Sequence, residues 1–275
     1  MLRWAVAVLR VLSALAAIVV AGLALVWLAQ RRMLYFPARY ALDDVRGAAA
    51  RMGLEPWAPA GELLGWHVPD ATARGTLLVL HGNAGSALDR LHFVSAFGRA
   101  SAGMPLEVVL VEYPGYGARP GAPTEASLVA TARAALREAR RLRAGPVFLA
   151  GESLGSAVAA LAAAEAPAEV DGLLLVTPLA SVPAVAARHY PFLPGFMARD
   201  GLRADRALPH YGGPVAFLVA GRDEVVFTDL GLALHAAYPG RKGLWVDERA
   251  GHNTLDWRPG LPRWREMVEL VGAGR

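Results

Sequence analysis

Three residues far apart in the chain are of the types that together make an oxygen nucleophile. Ser153 stands at the centre of Gly151-Glu152-Ser153-Leu154-Gly155, between an apolar run ending at Ala150 and another starting at Leu154. A serine hydroxyl attacks a carbonyl well only when a base takes its proton, and that base must be held in one tautomer by a carboxylate. Lifting the hydroxyl clear of a strand end requires a sharp turn with no room for side chains two positions away, which calls for glycine at 151 and 155. The pentapeptide alone is a weak signal; the strand-like run before it and the helix-like run after it strengthen it.

The candidate partners follow later. Asp223 lies in Gly221-Arg222-Asp223-Glu224, just after the run Val215–Ala220, and His252 lies in Ala250-Gly251-His252-Asn253, just after Leu244–Asp247. The order Ser153, Asp223, His252 places all three beyond strand C-termini on one sheet edge. Glu224 is the alternative acid. A developing oxyanion needs two backbone N–H donors: Leu154 at the helix start supplies one, and the loop Leu80-His81-Gly82-Asn83-Ala84-Gly85 the other, with Asn83 first choice and Ala84 next. His81 is expected to pack within its own turn, and Glu152 to take no part in chemistry. His67, His92, His189, His210 and His235 lack paired spacing and there is no cysteine, so neither a metal site nor a cofactor is expected. Gly115-x-Gly117 lacks the further glycine of a dinucleotide loop and reads as a turn.

These residues need a scaffold. Apolar runs predict strands at Glu62–Val68, Thr76–His81, Glu107–Glu112, Val147–Gly151, Gly172–Thr177, Val215–Ala220 and Leu244–Asp247. Several are continuous rather than alternating, as in a parallel sheet covered on both faces. Helical patterns fall between them at Leu88–Ser101, Glu125–Leu142, Leu154–Glu165, Leu230–Tyr238 and Leu261–Val271, with Thr124 and Asp229 as expected N-caps. The alternation predicts a mostly parallel, doubly wound α/β sheet. Pro178 to Gly213 breaks the rhythm and is too long for an ordinary connection. It is expected to be a small cap-like helical excursion, with Phe192, Leu193, Phe196 and Met197 as an apolar cover; packing without a role in binding is the alternative.

The N-terminus is different again. Val11 to Ala29 is a charge-free run of 19 residues containing one polar member, Ser13. As a helix it covers roughly 28 Å, close to a hydrocarbon core of about 30 Å. Trp4 and Trp27 lie near its ends, and Arg10, Arg31 and Arg32 are placed to reach head groups. An uncleaved membrane anchor is the expectation; a signal peptide and a buried core helix are the alternatives. Basic residues on the two sides balance, so orientation is not indicated. Across all 275 residues, 55% are apolar and 19% charged, which argues against disorder. The formal net charge of +4 rests on five arginines in the first 40 residues, and the remainder is nearly neutral with no basic stripe, so nucleic acid is not an expected partner.

Taken together, Met33-Leu34-Tyr35-Phe36-Pro37, the Leu80–Gly85 loop, Tyr113-Pro114-Gly115-Tyr116-Gly117, the Gly151–Gly155 turn, Gly221-Arg222-Asp223-Glu224 and Gly251-His252-Asn253 resemble the α/β-hydrolase-fold serine hydrolases. Within that superfamily the chain is similar to the membrane-tethered branch that includes the eukaryotic protein depalmitoylases and uncharacterised bacterial relatives. The resemblance spans about residues 30–260. It implies Ser153 as nucleophile, His252 as base and Asp223 as orienting acid. The chain departs from the branch at Phe227, where relatives usually have proline, and at Thr254, where they often have an acid. The expectation is therefore a membrane anchor over residues 1–32 and an α/β-hydrolase domain over 33–275. It would hydrolyse carboxylic esters or thioesters, on acyl or lipid-like substrates, through an acyl-enzyme. A catalytically silent tethered interaction protein and a serine peptidase on the same fold are the rivals.

Overall fold

The computed structural model describes residues 1–59, 61–98 and 104–273. The chain opens with helix α1 (Leu2–Leu34), then the two-residue strand β1 (Phe36–Pro37), α2 (Leu42–Arg51), β2 (Glu55–Trp57) and β3 (Gly65–His67). Next come β4 (Gly75–Leu80), the short β5 (Ala84–Gly85), α3 (Leu91–Phe97), β6 (Leu106–Val111), α4 (Glu125–Leu142), β7 (Val147–Glu152) and α5 (Leu154–Glu165). The last third holds β8 (Gly172–Val176), α6 (Val182–His189), α7 (Ala204–Ala207), β9 (Val215–Ala220), α8 (Thr228–Ala237), β10 (Lys242–Asp247) and α9 (Pro262–Gly272).

Eight of these strands form one sheet in the order β10-β9-β8-β7-β4-β6-β3-β2, parallel from β10 to β6, with an antiparallel edge at β3 and β2. The continuous apolar runs have a direct explanation in packing. Successive residues of a strand point to opposite faces. Leu78 and Leu80 of β4 join a core with Leu128 and Leu136 of α4 and Val158 of α5, while Leu77 and Val79 join a second core with Phe93 and Phe97 of α3 and Trp264 and Val268 of α9. Both faces are therefore dry, and all six residues of β4 are buried.

Parallel register also sets the site. Leu80 pairs with Gly151, Val176 with Leu218, and Asp247 with Ala220, so the exits of β4, β7, β8, β9 and β10 form one edge. Loops from that edge bring remote segments together, as ligand sites in open α/β sheets require. Thr124 caps α4 as expected, its hydroxyl accepting from the Ser127 N–H at 3.0 Å.

The structure differs from the sequence expectation at several points. Before the first expected strand lie α2, which buries Val45 and Ala49, and β2, whose pairing to β3 makes the sheet edge. The helix expected from Leu88 begins with a 3-10 turn, Ala87–Arg90, and its expected end at Ser101 lies outside the described residues. Asp229 is not an N-cap: α8 starts at Thr228, two residues before the expected Leu230, and Asp229 sits in its first turn paired with Arg188 at 2.8 Å. The core-helix alternative for the N-terminus is overturned, because the most apolar window of α1 is not buried and Leu9, Leu12, Ile18, Val19 and Leu25 are exposed.

Candidate active site

Ser153 occupies the turn between β7 and α5 with φ +53° and ψ −119°, a strained backbone conformation for a residue with a side chain. The flanking glycines are required by close approach. A Cβ on Gly151 would sit 2.3 Å from the Gly155 carbonyl oxygen, and one on Gly155 would sit 2.0 Å from the Leu80 carbonyl oxygen. Neighbouring bonds hold the turn: the Ser153 N–H donates to Val176 O at 2.9 Å, and the Ser156 hydroxyl donates to Ser153 O at 2.6 Å while accepting from the Leu179 N–H at 2.9 Å.

His252 reaches this hydroxyl from the loop after β10. Its Nε2 lies 3.0 Å from Ser153 Oγ, and its Nδ1 lies 2.8 Å from Asp223 Oδ2. An ionised carboxylate can only accept, so the proton sits on Nδ1 and the Nε2 lone pair faces the serine hydroxyl. The other oxygen of Asp223 accepts from the Val225 and Val226 N–H groups, each at 2.9 Å. Burial pushes the Asp223 carboxyl up, but the His252 hydrogen bond and charge, with the two backbone donors, outweigh it and hold the carboxyl below its ordinary range. Glu224 is exposed, whereas Asp223 is buried, and of the two candidate acids the structure brings Asp223 to the imidazole.

The two loops are tied to each other. Gly221 N–H donates to Asp247 O and Arg222 N–H to Ala250 O, both at 2.8 Å. Thr254, in place of an acid, accepts from the Gly251 N–H at 2.8 Å and closes the turn that carries His252. Phe227 adopts φ +66°, which a proline ring forbids. The Phe227 ring is held between the Arg188 guanidinium, 4.6 Å from its centroid, and His189 at 4.8 Å.

On the oxyanion side, Asn83, Ser153 and Leu154 line the same cavity, and Ala84 does not. Leu154 is the first residue of α5, so its N–H has no intrahelical carbonyl to bond. The Asn83 peptide is held firmly: its carbonyl accepts from the Phe36 N–H at 2.8 Å and the Tyr116 hydroxyl at 2.7 Å, and its side-chain amide donates to Leu34 O at 3.1 Å. The loop is thus fastened to the end of α1. Burial raises the Tyr116 hydroxyl pKa well above the ordinary value, keeping it a donor. His81 packs as expected, buried with Nδ1 2.8 Å from Gly82 O and its ring 4.2 Å from that of Tyr113.

Sequence reasoning missed three contributors. Glu152 stays out of the Ser153–His252 contact, yet it forms an ion pair with Arg90, whose guanidinium also donates to Ala84 O at 3.3 Å, linking the serine turn to the Asn83 loop. His189 on α6 lines the cavity, and so do Val26, Gln30, Met33 and Leu34 of α1. The Ser-Val-Pro start of α6, with Ser181 capping Ala184 at 3.2 Å, was the available signal for the helix that carries His189. Nothing in the periodicity of α1 marked a cavity wall. The expected apolar cover is half correct: Leu193 and Met197 line the cavity, but Phe192 and Phe196 are 78% and 89% exposed and turn away from it.

The cavity has a volume of about 300 Å³, is walled mostly by apolar side chains, and has Ser153 in its lining. A site of this kind can hold an acyl chain and present its carbonyl to a hydroxyl that has a base beside it. No cluster of three or more metal-ligating side chains occurs among the described residues.

Comparison with known proteins agrees with this architecture. The family model described as "Serine aminopeptidase, S33" matches residues 71–200. The chain is 32% identical over 267 residues to an uncharacterized protein of Mycobacterium tuberculosis, covering 94% of this chain and 92% of that protein. It is 31% identical over 206 residues to human alpha/beta hydrolase domain-containing protein 17B, covering 72% of this chain and 68% of the human protein. Among solved structures, Est1E from Butyrivibrio proteoclasticus, determined with bound ferulic acid, superposes with a TM-score of 0.55 at 18% identity, covering 73% of this chain and 88% of that one.

Proposed function

The chain belongs to the α/β-hydrolase family, and from that premise we propose that it is a membrane-anchored serine hydrolase that cleaves carboxylic esters or thioesters of acyl substrates. The observation that carries this reading is the unbroken contact from Ser153 Oγ through His252 to Asp223, at 3.0 and 2.8 Å, at an apolar cavity. Ser153 Oγ attacks the substrate carbonyl as His252 Nε2 takes its proton. The carbonyl oxygen becomes an oxyanion received by the N–H groups of Leu154 and Asn83, each worth roughly 3–4 kcal/mol in the transition state. Collapse of this intermediate expels the alcohol or thiol, which leaves with the proton from His252, and Ser153 remains acylated. Water, deprotonated by the same imidazole, then attacks the ester carbonyl; carboxylic acid departs and the serine regains its proton. Asp223 keeps the imidazole in the productive tautomer and stabilises its cation throughout.

In this reading residues 1–32 are the anchor and 33–275 the hydrolase unit, with 178–213 as its cap. The charge-free run of α1, exposed from Val11 to Gly22 and with none of its most apolar window buried, supports membrane insertion. A fluorophosphonate probe on the detergent-solubilised full chain tests the chemistry: Ser153→Ala is expected to abolish both labelling and turnover of p-nitrophenyl esters, and labelling that persists in this variant refutes it. A second reading, cleavage of amides, is favoured by the peptidase description of the matching family model. It predicts turnover of aminoacyl p-nitroanilides by the same serine.

A further inference from the structure

The end of α1 does more than leave a membrane. One of its faces, Leu23, Val26, Gln30 and Leu34, is half-buried at helical spacing, while the opposite face is exposed. That face packs against the cap. Gln30 Nε2 donates to Met197 O and Gln30 Oε1 accepts from the Arg199 N–H, both at 2.9 Å. Arg31 makes two hydrogen bonds to the buried Asp200, at 2.9 and 3.2 Å, and the Arg199 guanidinium lies 4.4 Å from the centroid of the Trp27 ring. Asp200 in turn accepts from the Glu125 N–H at the start of α4 at 3.2 Å, so the helix, the cap and the hydrolase body are clamped as one piece.

The level of this clamp matters. Charge first returns to the chain at Arg31, and the half-buried face extends back to Leu23, which at 1.5 Å per residue is about 12 Å before Arg31 along the helix. Cap residues that meet this face are therefore at or below the depth where a spanning α1 would meet the head groups. On the same cap strap, Phe192 and Phe196 point outward, 78% and 89% exposed, on either side of Leu193, which lines the cavity. Two phenyl rings presented to water on the strap that bonds to α1 are unfavourable in water alone and favourable in a membrane interface.

We propose that α1 and the cap form a side entrance at the bilayer surface, through which the acyl chain of a membrane-resident ester passes between Val26 and Met197 to reach Ser153, with Phe192 and Phe196 seated among the lipids. The inference rests on the serine-hydrolase reading and adds to it the source of the substrate: the lipid phase, not bulk water. The anchor is then a wall of the binding site as well as a tether.

The chain has no cysteine, so Phe196→Cys creates a unique thiol for a bimane label. With the full chain in phosphatidylcholine vesicles, the label is expected to be quenched by shallow nitroxide lipids and shielded from aqueous iodide. Phe192→Ser combined with Phe196→Ser is expected to lower turnover of bilayer-dissolved 4-methylumbelliferyl palmitate at least tenfold, while turnover of water-soluble p-nitrophenyl acetate stays within twofold. Quenching by iodide alone, unchanged palmitate turnover, or equal loss on both substrates overturns the side entrance. These results are read against Ser153→Ala: if that variant still hydrolyses both esters, the serine-hydrolase reading itself has failed, whereas serine-dependent hydrolysis with an iodide-quenched label removes only this inference.

Discussion

Asp223→Asn tests the proposed mechanism at its most informative point, because the structure dictates how the new amide must sit. One carboxylate oxygen of Asp223 accepts two backbone N–H groups at 2.9 Å, and only an oxygen can do so. The amide oxygen of asparagine therefore keeps that side, and its NH2 turns toward His252 Nδ1, 2.8 Å from the present oxygen. Faced with a donor, Nδ1 must accept, so the imidazole proton moves to Nε2 and points at Ser153 Oγ across 3.0 Å. The base is then occupied by its own proton, although no heavy atom has moved. The equivalent exchange in a serine-protease triad lowers kcat about 10⁴-fold, or about 5–6 kcal/mol of barrier at 1.36 kcal/mol per tenfold change. A loss of that order is expected here in the pre-steady-state acylation rate with a p-nitrophenyl ester. Glu224→Gln, at an exposed position with no contact to the imidazole, is expected to stay within twofold. An Asp223→Asn enzyme that folds and acylates within tenfold of wild type would show that Asp223 does not orient the base.

Other consequences follow from the same contacts. Because the Asp223 carboxyl is held below its ordinary 3.8, its stabilising contribution is complete above that value and is lost as pH falls through the lower folded-state value. The melting-temperature gap between wild type and Asp223→Asn is thus expected in full at pH 7 and should narrow only as pH falls below 3.8 toward the lower folded-state value; a gap that stays constant down to acid unfolding contradicts it. Gly155→Ala places a Cβ 2.0 Å from a backbone carbonyl oxygen, so a stability loss of more than about 3 kcal/mol by urea titration is expected, and a loss under 1 kcal/mol disproves the close-approach argument. Asn83→Ala keeps the backbone donor and removes only the side-chain bond to Leu34 O, so kcat is expected to fall less than about tenfold, well short of the 10²–10³-fold loss of a whole oxyanion donor.

Much of the site could be read from the chain because its chemistry is bound to local geometry. A serine lifted at a strand-to-helix turn needs glycine at 151 and 155, and that requirement is written in adjacent letters. Asp223 and His252 were legible as residues just past apolar runs, since parallel strands deliver their exits to one edge. The choice of Asp223 over its neighbour Glu224 was not local: it depends on which carboxylate the turn Asp223–Val226 points inward, and the N–H groups of Val225 and Val226 decide that. Sequence could not link Arg90 to Glu152 either, because 62 positions separate two charges whose pairing exists only when β4 and β7 lie side by side.

The order and polarity of residues by themselves determined the layered sheet, the serine turn and the charge-free N-terminal helix. Each follows from constraints between near neighbours: periodic burial, turn sterics and the length of an apolar run. Tertiary structure alone decided that α1 closes the cavity, that Leu193 and Met197 face inward while Phe192 and Phe196 face out, and that Leu34 steadies the Asn83 loop. Those outcomes depend on the rotation of one helix against a cap 160 to 170 residues away, held by Gln30 and Arg31. Such a contact leaves no trace in local pattern, because either face of an apolar helix reads alike until something packs against one of them.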